Sequence, residues 1–228
     1  MTGRRREGEE RHWATIALER RALADLVATL TPQQWATPSL CPAWTVHGVV
    51  AHLVSVQEAD RRQLAGAVVR GRALPPRVVL ALAADLDGWS GADLADGLRR
   101  HAGSRFHPPG LGARSALTDV MVHRVDVAVP LGLPVDRPAA HWTPVLDFLL
   151  SGLPMLGSIR GGRPRLRYRA TDVDWHGGRS GRGGPGTEVS GTAAALATTI
   201  AGRPALVHEL DGPGVAALRA WVGAGAAS

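Results

Sequence analysis

Asp119 and His123 stand four residues apart, and a third residue able to share a cation with them, His52, lies far upstream. Imidazole and carboxylate are ligands for zinc and its first-row neighbours, and three protein ligands leave a coordination position open for chemistry. A helix brings residues at this spacing onto one face, about one turn apart. His52 must then reach the same ion from another helix. An Asp and a His four residues apart also form ordinary surface pairs, so the elements around them must decide.

Periodicity predicts those elements. Residues 9–30 carry Trp13, Ile16, Ala17, Leu23, Leu26, Val27 and Leu30 at the spacing of an amphipathic helix, which Thr31-Pro32 ends. Residues 35–44, with Pro38, Cys41 and Pro42, read as an ordered loop tied down by Trp35 and Trp44. Thr45 is the predicted N-cap of a helix running to about Arg70, with Val46, Val49, Val50, Leu53 and Val56 inward and His52 on the flank of that stripe. Helical segments follow at 76–87 and 91–105, then a loop at 107–110. The helix predicted over 114–129 turns Leu117, Val120, Met121, Val127 and Ala128 to one side, and Asp119 and His123 flank it as His52 flanks its own stripe. Arg124 falls inside that stripe, against a simple core pattern. Pro130 stops the helix, and residues 138–153 supply another that completes a bundle, an architecture whose facing helices readily converge on a metal.

Beyond Gly161 the period changes. Residues 166–170 alternate like a half-buried strand, a glycine-rich turn covers 177–186, and 187–190 return as its partner. A helix at 192–201 ends at Gly202, a short strand follows at 206–210, and a last helix at 215–222. The predicted fold class is α + α/β: an N-terminal helical bundle over residues 1–155 and a smaller C-terminal α/β domain over 162–228, with the boundary near 153–162.

Composition narrows the function classes. With 228 residues, 45% hydrophobic and 20% charged, the chain can bury substantial cores. Cys41 is the one cysteine, which excludes an internal disulfide and suits a reducing cytosol. The N-terminal arginines have no apolar region behind them, so no secretory signal is expected, and no run approaches the roughly 18 apolar residues of a membrane span. The expected location is cytoplasmic, away from membranes. A net charge of +6 and the Gly-Arg stretch over 160–184 invite a nucleic-acid reading. Yet every basic residue is arginine and there is no lysine or asparagine, as GC-rich codon usage produces, and only Tyr168 and Trp175 offer stacking faces in that stretch. No nucleic-acid partner is expected.

The stretch LCPAWTVHGVVAHL at 40–53, followed by DVMVHRVDVAVPLG at 119–132, resembles the mycothiol-dependent maleylpyruvate isomerase family. The stretches ATDVDW at 170–175, GTAAAL at 191–196 and AGRP at 201–204 are similar to the second domain of those proteins. The resemblance implies a DinB-like metal-binding bundle followed by a smaller α/β domain. It also implies a divalent ion, usually zinc, held by His52, Asp119 and His123, and mycothiol as the thiol cosubstrate. The characterised isomerase type has glutamate where this chain has Asp119, so the acid here reaches one methylene less far.

The expected function is a metal- and thiol-dependent enzyme, a mycothiol-dependent isomerase or thiol S-transferase. Its nucleophile is a metal-bound thiolate acting on a small electrophilic substrate. The alternative is a non-catalytic, metal-stabilised module that binds a ligand or a protein. The partners expected are a low-molecular-weight thiol and a small-molecule substrate, with the chain a monomer or homodimer. By resemblance an arginine of the second domain contacts substrate, and Arg203 and Arg219 both qualify. Among the remaining polar residues, Cys41 reads as a packed small side chain and His47 as solvent-facing. Asp126 is either an acceptor behind a ligand or a local backbone cap. His101, His107, His141, His176 and His208 have no partner at ligand spacing and read as surface or loop residues.

Overall fold

Thr45 opens the helix that carries His52: its hydroxyl accepts the amide of Gly48 at 3.3 Å. Similar devices set the starts of three neighbouring helices. Thr31 with Gln34, Asp60 with Gln63 and Ser90 with Asp93 form reciprocal capping boxes. In a computed structural model that describes residues 3–42, 44–107, 110–152, 162–178 and 187–226, the chain divides into two compact units, 1–134 and 135–228.

The first unit holds α1 (Gly3–Val27), α2 (Pro32–Trp35), α3 (Val46–Glu58), α4 (Arg61–Arg70), α5 (Pro75–Ala84), α6 (Gly91–Arg100) and α7 (Gly112–Ala128). The single helix expected over 45–70 is two. Ala59 turns extended after Ser55 accepts its amide, and Asp60 starts α4 with its own box. The helix expected to reach residue 105 stops at Arg100, where buried Arg20 takes the carbonyls of His101 at 3.0 Å and Ser104 at 2.7 Å. Glu9 on α1 caps α7 from outside, accepting the amide of Ala113 at 2.9 Å. Beyond Ala128, the last residue of α7, Val129–Leu131 form a 3-10 turn that contains Pro130, with Gly132 at a φ of 66°.

Four helices close a ring of neighbours: α1 on α7, α7 on α3, α3 on α6 and α6 on α1, with α5 packed outside against α3 and α4. That is a four-helix bundle core. Ile16, Leu23, Val50, Leu94, Leu117 and Met121 are fully buried in it. Gly97 brings α6 close to α3, since a Cβ there would stand 2.7 Å from Cγ1 of Val54.

The second unit contains α8 (Ala139–Leu150), β1 (Arg167–Ala170), β2 (His176–Gly178), β3 (Glu188–Gly191), α9 (Ala193–Ile200) and α10 (Val215–Ala226). Here the structure departs from expectation in three places. First, α8 does not complete the N-terminal bundle. Its buried face (Trp142, Val145, Leu146, Phe148 and Leu149) packs against α9, an all-apolar-and-threonine helix that needs such a cover, and the division falls between residues 134 and 135. The linker expected near 153–162 lies largely in 153–161, outside the described residues.

Second, the sheet order is β2-β1-β3. The antiparallel partner of β1 is β2, which follows at once, with Ala170 donating to the Trp175 carbonyl at 2.9 Å. That leaves the other edge of β1 to β3, which pairs with it in parallel rather than as a returning hairpin. Most of the expected glycine-rich turn, 179–186, lies outside the described residues. Third, residues expected as a strand at 206–210 form a 3-10 turn over Pro204–Glu209, initiated by the proline. Asp211 alone bridges to Ser190. The fold class itself holds: a helical N-terminal part and a small C-terminal α/β part.

Candidate metal centre

The bundle brings the three distant residues together. His52 on α3 and Asp119 and His123 on α7 each offer one atom, and the three atoms lie within 4.8 Å of one another. Nε2 of His52 is 3.4 Å and Nε2 of His123 is 3.5 Å from the same Oδ1 of Asp119. Both separations are long for hydrogen bonds to a charged partner. Two ligands at roughly 2.1 Å from a tetrahedral ion stand about 3.4 Å apart, so the spacing fits an ion better than a hydrogen bond. The imidazoles are nearly buried, with side-chain exposures of 8% and 11%, whereas Asp119 is 33% exposed and forms the open edge.

A second group, Cys41, His123 and Asp126, also clusters. Its distances tell it apart. Nδ1 of His123 is 2.8 Å from Oδ2 of Asp126, and the Cys41 thiol donates to the same oxygen at 3.1 Å. These are direct hydrogen-bond contacts without room for an ion between them. A buried carboxylate only accepts, so Nδ1 of His123 carries the proton and Nε2 is left to face Asp119. Asp126 is thus the acceptor behind a candidate ligand, the first of its two expected roles.

The loop before α3 is docked on that carboxylate. Leu40 donates its amide to the Asp126 carbonyl at 3.2 Å. Pro38 bridges to Thr45, and Ser39 donates its amide to the Trp44 carbonyl at 3.0 Å. Trp44 is thereby held with its ring parallel to His52, centroids 5.0 Å apart at 17°, and edge-on to His123 at 6.0 Å. Residue types alone do not mark Trp44 or Asp126 as part of the centre. The signal for Asp126 is its i+3 position after His123; for Trp44 there is none without the loop's conformation.

The electrostatics point one way. Burial pulls the His123 imidazole toward neutrality, but its bonds to Asp126 and Cys41 and the charges of Asp119 and Asp126 outweigh that, and its pKa is pushed up to about 10. Burial likewise raises Asp119, yet His52, His123 and Arg20 outweigh it and hold the carboxyl at about 2. Two imidazole nitrogens facing one carboxylate require positive charge between them, supplied by protons or by a cation. The donor set of two imidazoles and a carboxylate is one that zinc accepts.

Residues 16–128 match the mycothiol maleylpyruvate isomerase N-terminal domain. The first unit of the chain carries this domain. The match contains α3, the docked loop and all of α7, and with them the three clustered residues of the isomerase-family domain. No curated protein and no solved structure matches the chain.

The other polar residues fall elsewhere. His47 is not solvent-facing: its Nε2 lies 2.8 Å from the Trp89 carbonyl, and its ring is edge-on to Trp35. His101 stands 3.0 Å from Glu58, and His107 accepts the Gly112 amide at 3.3 Å beside Trp13. His176 and His208 are exposed, as expected. Arg203 donates to the Ala201 carbonyl at 2.8 Å, while Arg219 is exposed. Among the described residues no helix is long and apolar enough to cross a membrane.

Proposed function

We propose that the chain is a metal- and thiol-dependent enzyme, a mycothiol-dependent isomerase or thiol S-transferase acting on a small electrophilic substrate of the maleylpyruvate kind. The observation that carries this reading is the single Asp119 oxygen standing 3.4 and 3.5 Å from two Nε2 atoms, inside a domain of the isomerase family. His52, Asp119 and His123 hold the ion, zinc by its donor set. A divalent cation there stabilises the thiolate form of a bound thiol and so presents a nucleophile at neutral pH.

The chain's own residues prepare that role. Asp126 keeps the proton of His123 on Nδ1 and leaves Nε2 as a ligand. The apolar bundle shields the imidazoles, while the partly exposed edge of Asp119 leaves approach for thiol and substrate. No protein nucleophile is required. Cys41 lies on the Nδ1 side of His123, engaged with Asp126, and is not assigned that part.

Metal analysis tests the proposal. Purified protein loaded with zinc should hold about one ion per chain, and His52→Ala or His123→Ala should hold none. Mycothiol-dependent turnover should vanish on chelation while the far-ultraviolet circular dichroism stays unchanged. Protein without metal after loading overturns the reading. A chelated protein that unfolds points instead to a structural ion in a non-catalytic module.

A further inference from the structure

The two imidazoles of the centre are held by different means. His123 has Asp126 on its outer nitrogen at 2.8 Å, whereas Nδ1 of His52 is buried with no hydrogen-bond partner among the described residues. A ligand imidazole is usually oriented through that outer nitrogen. Without it the ring turns about its Cβ–Cγ bond unless packing prevents this, because that torsion has broad wells.

Trp44 supplies the packing. Its ring lies 17° from parallel with the His52 ring at a centroid separation of 5.0 Å. Stacked rings at this distance attract, and tilting one out of plane loses the contact. Gly48, one turn before His52 on α3, provides the space: a Cβ there would stand 2.9 Å from Cδ1 and 3.0 Å from Cβ of Trp44. The backbone of Trp44 is tied on both sides, its amide donating to the Cys41 carbonyl at 2.9 Å and its carbonyl accepting from Ser39. The indole is therefore fixed independently of the imidazole it covers.

We propose that Trp44 is the positioning residue of His52, its indole face setting the imidazole plane in place of the hydrogen bond that His123 donates to Asp126. Gly48 is the residue that admits the indole to that position. The inference rests on the metal reading of the centre.

Cobalt(II) serves as the probe, since its visible absorption reports coordination geometry as well as occupancy. The proteins to titrate are the wild type, His52→Ala, Trp44→Leu, Trp44→Phe and Gly48→Ala, each checked for fold by circular dichroism. Trp44→Leu should weaken cobalt binding by about 10–100-fold, the range seen for groups that orient ligands, and alter the visible spectrum of the bound ion. Gly48→Ala should do the same while leaving both rings present, and it carries the test if Trp44→Leu does not fold. Trp44→Phe, which keeps an aromatic face, should restore most of the affinity and the wild-type spectrum. Wild-type affinity and spectrum in both Trp44→Leu and Gly48→Ala, with binding lost in His52→Ala, overturn the role of Trp44 alone. A wild type that binds no cobalt overturns the metal reading and this inference with it.

Discussion

Nδ1 of His123 stands 2.8 Å from Oδ2 of Asp126, a carboxylate with no solvent exposure. The same oxygen takes the thiol of Cys41, and the backbone carbonyl of Asp126 takes the amide of Leu40. One residue of α7 therefore orients a candidate ligand and anchors the loop that bears Trp44.

Asp126→Asn should lower zinc affinity by about 10–100-fold, because the amide no longer fixes the His123 tautomer or raises its basicity. Cys41→Ala should cost less, since Asp126 keeps its bond to His123. Competition against a chromophoric chelator reads both, and equal losses for the two variants contradict the assignment of Asp126.

The metal-free protein should respond to pH through His123. Its pKa is raised from the ordinary 6.5 to about 10, so the stabilisation is fully present below pH 6.5 and fades as pH rises toward 10. Asp119 works oppositely: held at about 2, it stabilises above pH 4 and loses that contribution as pH falls toward 2. On the proposed reading zinc would replace the proton on Nε2 of His123, so zinc affinity should climb with pH over the window in which the metal-free stability declines. Thermal melts and zinc titrations between pH 5 and 9 check both slopes.

Asp119→Asn should abolish tight zinc binding by removing the charge that both imidazoles face, whereas Asp119→Glu should retain an ion. The longer side chain moves its oxygen relative to the two Nε2 atoms, so the cobalt spectrum of Asp119→Glu should differ from wild type even at full occupancy.

Gly97→Ala should destabilise the first unit by about 1–3 kcal/mol through overpacking against Val54, 2.7 Å from the new methyl group. Metal stoichiometry should stay at one. A lowered melting temperature with unchanged zinc content separates bundle packing from the centre.

In the second unit, burial pushes the Tyr168 hydroxyl up to about 12, and its oxygen has no hydrogen-bond partner among the described residues. A raised folded-state pKa means stability held below pH 10 and lost as pH climbs toward 12, on the order of 3 kcal/mol in full. Tyr168→Phe should remove this alkaline loss and leave neutral-pH stability equal or higher by up to about 1 kcal/mol. Alkaline melts of the two proteins give the comparison.

The bundle and its three clustered residues were legible in the sequence because they follow local rules. Thr45 caps where a threonine before an apolar stripe should, and His52, Asp119 and His123 sit at stripe flanks that face one another once the helices pack. What escaped depends on contacts between distant residues. Pairing of β3 with β1 in parallel goes with β2 occupying the other edge of β1, and α8 packs on α9 within the second unit. Trp44 lay in a segment read only as an ordered loop, and no periodicity reports which way a loop tryptophan turns.

The uneven exposure of the three clustered side chains bears on how fast an ion could be exchanged. With Asp119 partly open and both imidazoles nearly buried among the described residues, a competing ligand would reach an ion held there from the carboxylate side. Small chelators should strip the metal far faster than bulky ones of equal strength, and the residence time of the ion should be governed by the chelator's size rather than by its affinity.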